Sequence, residues 1–345
     1  MRKAPGMGAL LWTAAGAGLL LFARTQSVGG YSFKDKVALI TGGSRGLGLL
    51  LARHLAAQGA RVAICARDAE ELENARHDLQ SRGATVFTVV CDLRDRHDAE
   101  RMVADVIAQY GSIDVLINNA GIITVAPLEE MTLDDFSDAM DSNYWSAVYT
   151  TMAALPEMRR RRTGRIVNIT SIGGKIAVPH LLPYSASKFA FYGFSRGLRS
   201  EVLKDGIVVT TVVPGLMRTG SPRNANFKGQ HQLEHAWFSI SDSLPGASID
   251  ADRAAEQILN ATKRGEVEIT LTLQARVAAA LDALFPELTG SLLAAANRMM
   301  PMAGGIGKRL AKGKDSQSQA SPSVLTTLGD RAAERNNEVK PGELL

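Results

Sequence analysis

Seven short apolar segments recur between residues 36 and 272, and stretches with helical spacing of apolar residues separate them. Each segment is hydrophobic at consecutive positions, a pattern typical of parallel strands that are covered on both faces. The segments are KVALIT (36–41), RVAIC (61–65), TVFTVVC (85–91), IDVLIN (113–118), RIVNIT (165–170), IVVTTVV (207–213) and EVEITLT (266–272). This alternation predicts right-handed βαβ units and a single doubly wound α/β domain with a mostly parallel seven-stranded sheet and helices on both faces.

The longest predicted helix covers about residues 133–162, and another begins near Tyr184. A further Ala- and Leu-rich helix is predicted over residues 275–300. Four of its large apolar residues share one face: Leu281, Leu284, Phe285 and Leu288. This face can cover the core, pair with a second subunit or lie on lipid.

The chain is predicted to be one large domain with appendages. We assign residues 1–30 to an N-terminal hydrophobic segment, 31–274 to the α/β domain and 275–312 to an apolar helical extension. After residue 312 the composition becomes polar and repetitive (KGKDSQSQASPS), which predicts a disordered tail over 313–345.

Composition and charge narrow the classes of function. With 345 residues and 46% hydrophobic content, the chain is long enough for a large packed core. The formal charge of +4 is scattered apart from Arg159–Arg162, a run typical of a solvated helix end, so nucleic-acid binding is not predicted. Cys65 and Cys91 fall within predicted strands, which does not indicate a disulfide framework. His231 and His235 lie four residues apart without an acidic or cysteine partner, and no metal site is predicted.

A glycine-rich turn, TGGSRGLG (41–48), ends the first strand and opens the first helix. Gly42, Gly46 and Gly48 permit a sharp turn and let a diphosphate approach the amides at the helix N-terminus, where the helix dipole favours negative charge. A tight turn without a ligand is the alternative interpretation. The position between a strand and a helix favours the dinucleotide site.

Four further motifs occur in order on the predicted elements. Asn118–Gly121 reads NNAG after the fourth strand, Ser171 follows the fifth, Tyr184–Lys188 reads Y-x-x-x-K on a helix, and Pro214–Gly215 follows the sixth strand. Together with the T-G-x-x-x-G-x-G turn, they resemble the short-chain dehydrogenase/reductase family over about residues 34–272. The resemblance implies a Rossmann-type fold, a nicotinamide cofactor and hydride transfer at a CH–OH or C=O group.

The resemblance also implies which cofactor is preferred. In this family the residue that ends the second strand helps to choose between NAD and NADP, and here Ala66 is followed by Arg67. The guanidinium groups of Arg45 and Arg67 suit a 2′-phosphate, so we expect NADP(H) to be preferred, while NAD(H) stays possible. Asp68 lies near the usual distance of an acidic ribose partner, but we interpret it as the N-cap of the next helix.

Other cofactor contacts are expected from the same resemblance. Asp92 resembles the family's adenine-contacting aspartate, although a helix cap is nearly as good an interpretation, and Thr219 resembles the threonine near the nicotinamide carboxamide. The complete set of expected cofactor-binding residues is Gly42, Ser44, Arg45, Gly46, Leu47, Gly48, Arg67, Asp92, Leu93, Asn119, Ala120, Gly121, Tyr184, Lys188, Pro214, Gly215 and Thr219.

The candidate catalytic residues are Asn143, Ser171, Tyr184 and Lys188. Tyr184 and Lys188 are four apart and therefore lie on one helix face. An ammonium and the positive ring of the cofactor are expected to lower the tyrosine pKa from about 10, so that Tyr184 acts as general acid/base. Ser171 polarises the substrate oxygen, and Asn143 resembles the asparagine that anchors a water leading to the lysine.

Two segments are expected to select the substrate: residues 173–183, rich in apolar side chains, and residues 216–248. Their composition favours an apolar ketone or aldehyde, although the same side chains can simply pack a lid. We therefore predict an NADPH-dependent carbonyl reductase that can form a homo-oligomer. The alternatives are an NAD-dependent alcohol dehydrogenase of the same fold and a catalytically silent, cofactor-binding scaffold.

Residues 4–23 carry no charge and have about the length that a membrane-spanning helix requires. We expect this segment to anchor the protein as a transmembrane helix, with the catalytic domain facing the cytoplasm, where its cofactor is found. A cleaved signal peptide is the main alternative. Peripheral association also stays open, because four glycines and Pro5 weaken a helix there.

Overall fold

The computed structural model of the protein describes residues 30–244, 246, 248–323 and 326–339. Within these residues, seven strands form one sheet: β1 (Val37–Thr41), β2 (Arg61–Ala66), β3 (Val86–Val90), β4 (Val115–Asn118), β6 (Gly164–Ile169), β7 (Ile207–Val213) and β11 (Glu268–Thr270). The sheet has the order β11-β7-β6-β4-β1-β2-β3, and all of its pairs are parallel. The predicted doubly wound sheet is confirmed, with each strand within two residues of its predicted ends.

Short strands outside this sheet are β5 (Thr124–Val125), β8 (Met217–Arg218), β9 (Asn226–Phe227), β10 (Ile249–Asp250) and β12 (Ala311–Lys312). The described helices are α1 (Gly46–Ala57), α2 (Ala69–Ser81), α3 (Arg96–Tyr110), α4 (Leu133–Met140), α5 (Ser146–Arg161), α6 (Leu182–Val202), α7 (His231–Ser243), α8 (Ala251–Arg264), α9 (Leu273–Leu284), α10 (Pro286–Asn297) and α11 (Thr327–Arg335).

The helices cover both faces of the sheet and form two cores. Apolar residues of α1, α2 and α8 pack on one face together with Ala38 and Ile40, and those of α3, α5 and α6 pack on the other with Val37 and Leu39. Since successive residues of a strand point to opposite faces, both sets of positions in β1 must be apolar. This double burial explains the consecutive hydrophobic runs in the sequence.

Two predicted helices have interruptions in the structure. The helix predicted over 133–162 consists of α4, a π-helical segment at Asp141–Trp145 and α5. The helix predicted over 275–300 is two helices, α9 and α10, bent by 119°. Pro286 begins α10, and a proline lacks the N–H that would continue α9. Of the four residues predicted to share one face, Leu281 and Leu284 therefore lie in α9, Leu288 lies in α10 and Phe285 lies between the two helices.

The prediction of a disordered tail over 313–345 was wrong for the part that the structure describes. Just before this tail, β12 pairs antiparallel with β9, and within the tail α11 packs against α7 and β8. Ala332 and Ala333 of α11 are each only 1% exposed. The composition is polar because many tail groups bond to the main domain; Ser316 Oγ, for example, lies 3.0 Å from His231 Nδ1. Composition alone does not distinguish such a segment from a disordered one.

The predicted anchor at residues 4–23 lies outside the described residues. Among the residues that the structure describes, no single helix combines the length and apolar character needed to cross a bilayer. The bent pair α9 and α10 meets that requirement only when its two helices are taken together.

Candidate active site

A cavity of about 990 Å³ opens at the carboxyl ends of the parallel strands. The cavity includes the carboxyl end of β1, where the strand order reverses between β2 on one side and β4 on the other. Open α/β sheets bind ligands at such a point. Every predicted cofactor-binding or catalytic residue lines this cavity except Gly48. The structure therefore brings motifs separated by more than 170 residues into one site, from Gly42 to Thr219.

The glycine turn and the NNAG motif form one hydrogen-bonded unit. Thr41 Oγ1 accepts hydrogen bonds from the backbone N–H groups of Asn119 at 2.9 Å and Ala120 at 3.1 Å. The Asn119 side-chain amide donates to the carbonyl oxygens of Thr41 and Gly42. Gly48 lies behind the turn, where any Cβ would collide with the Gly42 carbonyl oxygen. These contacts fix the turn from behind and leave its front facing the cavity.

Helix α1 presents an N-terminus that suits an anion. Its N-cap, Arg45, makes no side-chain capping bond, and its first turn holds no acidic residue. The helix therefore keeps the partial positive charge that its aligned peptide dipoles create at this end. With the volume of the cavity, this arrangement fits the diphosphate of a dinucleotide.

Asn143 lies in the π-helical segment, and its side chain is fully buried. Its amide donates to the Ile122 carbonyl oxygen at 3.1 Å and to Ser187 Oγ at 2.9 Å, and its oxygen accepts from the Ile122 N–H. Both amide hydrogens are thus engaged with the protein. A Cβ on Gly121 would lie 2.5 Å from Asn143 Oδ1. The side chain consequently holds the loop after NNAG against helix α6.

Tyr184 and Ser171 meet at the centre of the cavity. Ser171 lies two residues beyond the end of β6, next to the Tyr184 side chain. Gly173 allows this contact, because a Cβ there would lie 3.1 Å from the tyrosine ring and 3.4 Å from Ser171 Oγ. Burial raises the pKa of Tyr184, the Ser171 hydrogen bond opposes this rise, and Asp242 adds to it.

Lys188 lies one helical turn beyond Tyr184. Its ammonium donates to the Ile169 carbonyl oxygen at 3.0 Å and lies 5.8 Å from the centroid of the tyrosine ring. Burial lowers the lysine pKa from 10.5 to about 8. The protein's own groups raise the Tyr184 pKa, chiefly through burial, so the lowering expected from Lys188 together with the positive ring of the cofactor stays a prediction.

The two arginines expected at the 2′-phosphate differ in their surroundings. Arg45 Nη1 lies 2.6 Å from Glu71 Oε1, and Arg45 Nε lies 3.7 Å from Glu338 Oε2. Arg67 is exposed at the rim of the cavity. Asp68 accepts a hydrogen bond from the Glu71 N–H at 3.0 Å, which confirms its interpretation as the N-cap of α2.

Asp92 follows β3 by two residues and faces Arg94. It accepts bonds from the backbone N–H of Arg94 at 3.1 Å and from its guanidinium at 2.6 Å, which lower the Asp92 pKa. The N-cap of the next helix, α3, is Asp95, so the helix-cap interpretation of Asp92 was wrong. Leu93 is buried beside it along the cavity wall.

The Pro214–Gly215 motif lines another part of the cavity wall. The Pro214 carbonyl oxygen accepts from the Ile172 N–H at 2.7 Å, which ties this segment to the one that carries Ser171. A Cβ on Gly215 would lie 2.7 Å from Thr272 Oγ1, so glycine is required for the close packing of α9. Thr219 is buried and accepts from the Ser221 N–H.

Residues 176–182 and 216–244, from the two segments predicted to select the substrate, form one lid over the cavity. His180 Nδ1 lies 2.8 Å from Glu234 Oε1, and the Trp237 indole N–H donates to Glu234 Oε2 at 2.6 Å. The Glu234 side chain is fully buried. Apolar residues of these segments that line the cavity include Val178, Leu181, Met217, Trp237 and Phe238, whereas Phe227 is packed inside a small core. The lid wall of the cavity is thus mainly apolar.

Sequence reasoning missed three features of the site. Asp242 is buried with its pKa raised to about 7 by desolvation, and it accepts from the Met217 N–H at 2.9 Å. The second is the joining of His180 to Glu234 across 54 positions of sequence. The third is that residues 337–339 of the tail line the cavity. None of them belongs to a local motif, although an acidic residue on the apolar helix α7 was a signal for Glu234.

A doubly wound parallel sheet with a glycine turn and a Ser–Tyr–Lys cluster at its carboxyl edge defines the class of Rossmann-type oxidoreductases. A family model described as short chain dehydrogenase matches residues 36–228. The chain belongs to the short-chain dehydrogenase/reductase family, as its motifs predicted.

Curated relatives and a solved structure agree with this assignment. A "dehydrogenase/reductase SDR family protein 7-like" of Anopheles gambiae is 38% identical over 241 residues, covering 68% of this chain and 74% of that protein. A putative ketoacyl reductase of Streptomyces coelicolor is 35% identical over 245 residues, covering 68% of this chain and 93% of that one. The crystal structure of an actinorhodin polyketide ketoreductase variant with NADPH has a TM-score of 0.62 at 32% identity, covering 69% of this chain and 96% of that chain.

Proposed function

We propose that the protein is an NADP(H)-dependent reductase of an apolar ketone or aldehyde, with Tyr184 as general acid/base. The observation that carries this proposal is that Ser171, Tyr184 and Lys188 line the same cavity as the glycine turn. The ketoacyl reductase of Streptomyces coelicolor and the ketoreductase solved with NADPH support the class of substrate and the cofactor.

The residues proposed to hold the dinucleotide are those of the glycine turn, the NNAG loop and the walls around Arg67, Asp92, Pro214 and Thr219. When bound, the nicotinamide supplies or accepts the hydride at the carbonyl carbon. The protein contributes the diphosphate-binding helix end and a mainly apolar space for the substrate beside it.

The proton is handled by the chain's own residues. The hydroxyls of Ser171 and Tyr184 together hold the carbonyl oxygen, and Tyr184 gives it a proton in reduction and takes it back in oxidation. Lys188, with a pKa of about 8, is charged at neutral pH and stabilises the phenolate that remains. Asn143 acts as a positioning residue, because its side chain is committed to Ile122 and Ser187.

One observation favours the NAD-dependent alternative. Arg45 is paired with Glu71 and lies close to Glu338, so its charge is partly neutralised. We retain the NADP(H) proposal because Arg67 stands exposed at the rim, where an acidic residue would be needed to repel a 2′-phosphate.

Fluorescence titration with NADPH and NADH tests the cofactor, and NADPH consumption with a panel of apolar and polar ketones and aldehydes tests the substrate. We expect tighter binding of NADPH and faster turnover of apolar carbonyls. Tighter binding of NADH would support the alcohol dehydrogenase, and cofactor binding without turnover of any panel member would support a silent scaffold.

We also propose that residues 4–23 attach the protein to a membrane, with the catalytic domain on the cytoplasmic side. The exposed apolar residues of α9 and α10, among them Leu284 and Leu292, are compatible with contact to lipid or to a second subunit. Fractionation of the full chain against a version that begins at Tyr31 tests the attachment. Full-length protein found in the soluble fraction, or with its first thirty residues removed, would refute it.

A further inference from the structure

The C-terminal segment Asn336–Val339 lies across the glycine turn. The Asn336 carbonyl oxygen accepts a hydrogen bond from the Gly46 N–H at 2.9 Å. The Asn337 side-chain amide donates to the carbonyl oxygens of Ser44 at 2.8 Å and of Glu71 at 3.0 Å. A segment at the far end of the chain is thus bonded to the turn that the motif assigns to a cofactor diphosphate.

The segment also places a carboxylate there. Glu338 Oε1 lies 2.5 Å from the position that a Cβ of Gly46 would occupy, so it touches the backbone at the start of α1. Its side chain is 3% exposed, lies 3.7 Å from the Arg45 guanidinium and accepts a hydrogen bond from Asn224. A helix N-terminus attracts anions, and here the anion comes from the protein itself.

This arrangement conflicts with a diphosphate at the same helix end. The single Gly46 N–H is already engaged, and a second anion beside a buried carboxylate would be repelled at low dielectric. Burial, together with a smaller contribution from Glu71, raises the pKa of Glu338 to about 7, which shows how poorly this position tolerates one negative charge.

We propose that Asn336–Val339 is an internal competitor of the cofactor diphosphate, and that the dinucleotide binds only after this segment has left the glycine turn. The inference rests on the proposed binding of a dinucleotide. Because only the fraction of molecules with the segment released can bind, the docked segment raises the apparent Kd for the cofactor.

The contacts are arranged so that the segment can leave while its base stays in place. Helix α11 is fixed by close packing, because a Cβ on Gly220 would lie 2.5 Å from Ala333 Cα, and by a bond from Arg53 to the Arg335 carbonyl oxygen at 3.1 Å. Beyond α11, residues 336–338 are held by hydrogen bonds and charge contacts. Segments held in this way open at lower free energy than packed cores.

The test compares two truncated chains with the full protein. One lacks residues 336–345 and therefore the competitor, and the matched control lacks only residues 340–345. Kd values for NADPH and NADH are measured by cofactor fluorescence. We expect the longer deletion to tighten the binding of both cofactors by about tenfold or more, and the control deletion to leave both unchanged.

A point variant tests the same proposal in the full-length chain, in case the truncated chain misfolds. Asn337→Ala removes the bonds to the Ser44 and Glu71 carbonyls, and we expect it to tighten both Kd values severalfold. Glu334→Ala, at an exposed position on α11, is its control and should have no effect. In the full chain, cofactor should also speed hydrogen exchange at the Glu338 N–H, which bonds to the Ala333 carbonyl at 3.0 Å.

The other possible results would overturn either this proposal or the proposed function. Weaker cofactor binding after removal of 336–345, or slower exchange at Glu338 with cofactor, would overturn the proposal by making the segment a clamp over the ligand. Unchanged Kd values would overturn it as well. Tightening of NADPH alone would assign the effect to release of Arg45 from Glu338 and overturn competition at the diphosphate. If no chain bound either cofactor, the proposed function itself would fail.

Discussion

The floor and the lid of the cavity are built in different ways. The floor consists of residues 41–48, 118–121, Ser171, Tyr184 and Lys188, and its members contact one another directly within or between motifs. The lid consists of residues 176–182 and 216–244, and it depends on the contacts of Glu234 with His180 and Trp237. The floor therefore holds what the reaction requires, while the lid holds what a particular substrate requires, and substitutions in the two regions should have different kinetic signatures.

The largest effect is expected at the centre of the floor. Tyr184→Phe removes only the transferable proton, so turnover should fall by ~10²–10⁴-fold while the cofactor Kd is unchanged. Tyr192→Phe is the matched control, because Tyr192 lies on the same helix but bonds to Glu268 outside the cavity. Steady-state kinetics and fluorescence titration are the measurements. A Tyr184→Phe enzyme with more than about a tenth of the activity would contradict the role of general acid/base.

The next effect is expected at Lys188. Lys188→Met should lower kcat/KM by ~10–100-fold, the loss expected from removing a charged hydrogen-bonding group, and should weaken cofactor binding. In the wild type, kcat/KM for reduction should decline as pH rises through about 8, because the lysine then loses its charge. The variant should lack this decline. Lys175→Met, which breaks a pair with Glu268, is the control, and a retained decline in Lys188→Met would assign the titration to another group.

A smaller effect is expected at the rim of the floor. Arg67→Asp removes a partner of the 2′-phosphate and adds repulsion, so the ratio of Kd values for NADH and NADPH should shift toward NADH by about tenfold. Arg82→Asp, at an exposed position just after α2, should leave the ratio unchanged. If the wild type binds both cofactors equally and Arg67→Asp changes nothing, neither arginine discriminates between them.

The smallest effect is expected in the lid. Glu234→Gln turns two charge-assisted hydrogen bonds into neutral ones, which should raise KM for the carbonyl substrate on the order of fivefold and change kcat less. Glu256→Gln, at an exposed position on α8, is the control. A loss confined to kcat would mean that Glu234 supports the floor instead of the lid, and the two regions would no longer be separate.

The sequence by itself determined the doubly wound fold and the members of the floor. Strands buried on both faces must be apolar at consecutive positions. The glycine turn, NNAG and Y-x-x-x-K can be recognised in the sequence because the residues of each motif lie only a few positions apart. For that reason Gly42, Asn119, Tyr184 and Lys188 were predicted, and the structure brings them to one cavity.

Other features were decided only by the tertiary structure. The Tyr184 pKa depends on burial, which no spacing reveals, and the break of the apolar extension at Phe285 depends on how Pro286 directs the next helix. The packed tail and the position of Glu338 at α1 arise from contacts across nearly the whole chain. Such contacts leave no periodic or local pattern, because a polar residue looks the same in sequence whether it bonds to water or to a distant backbone group.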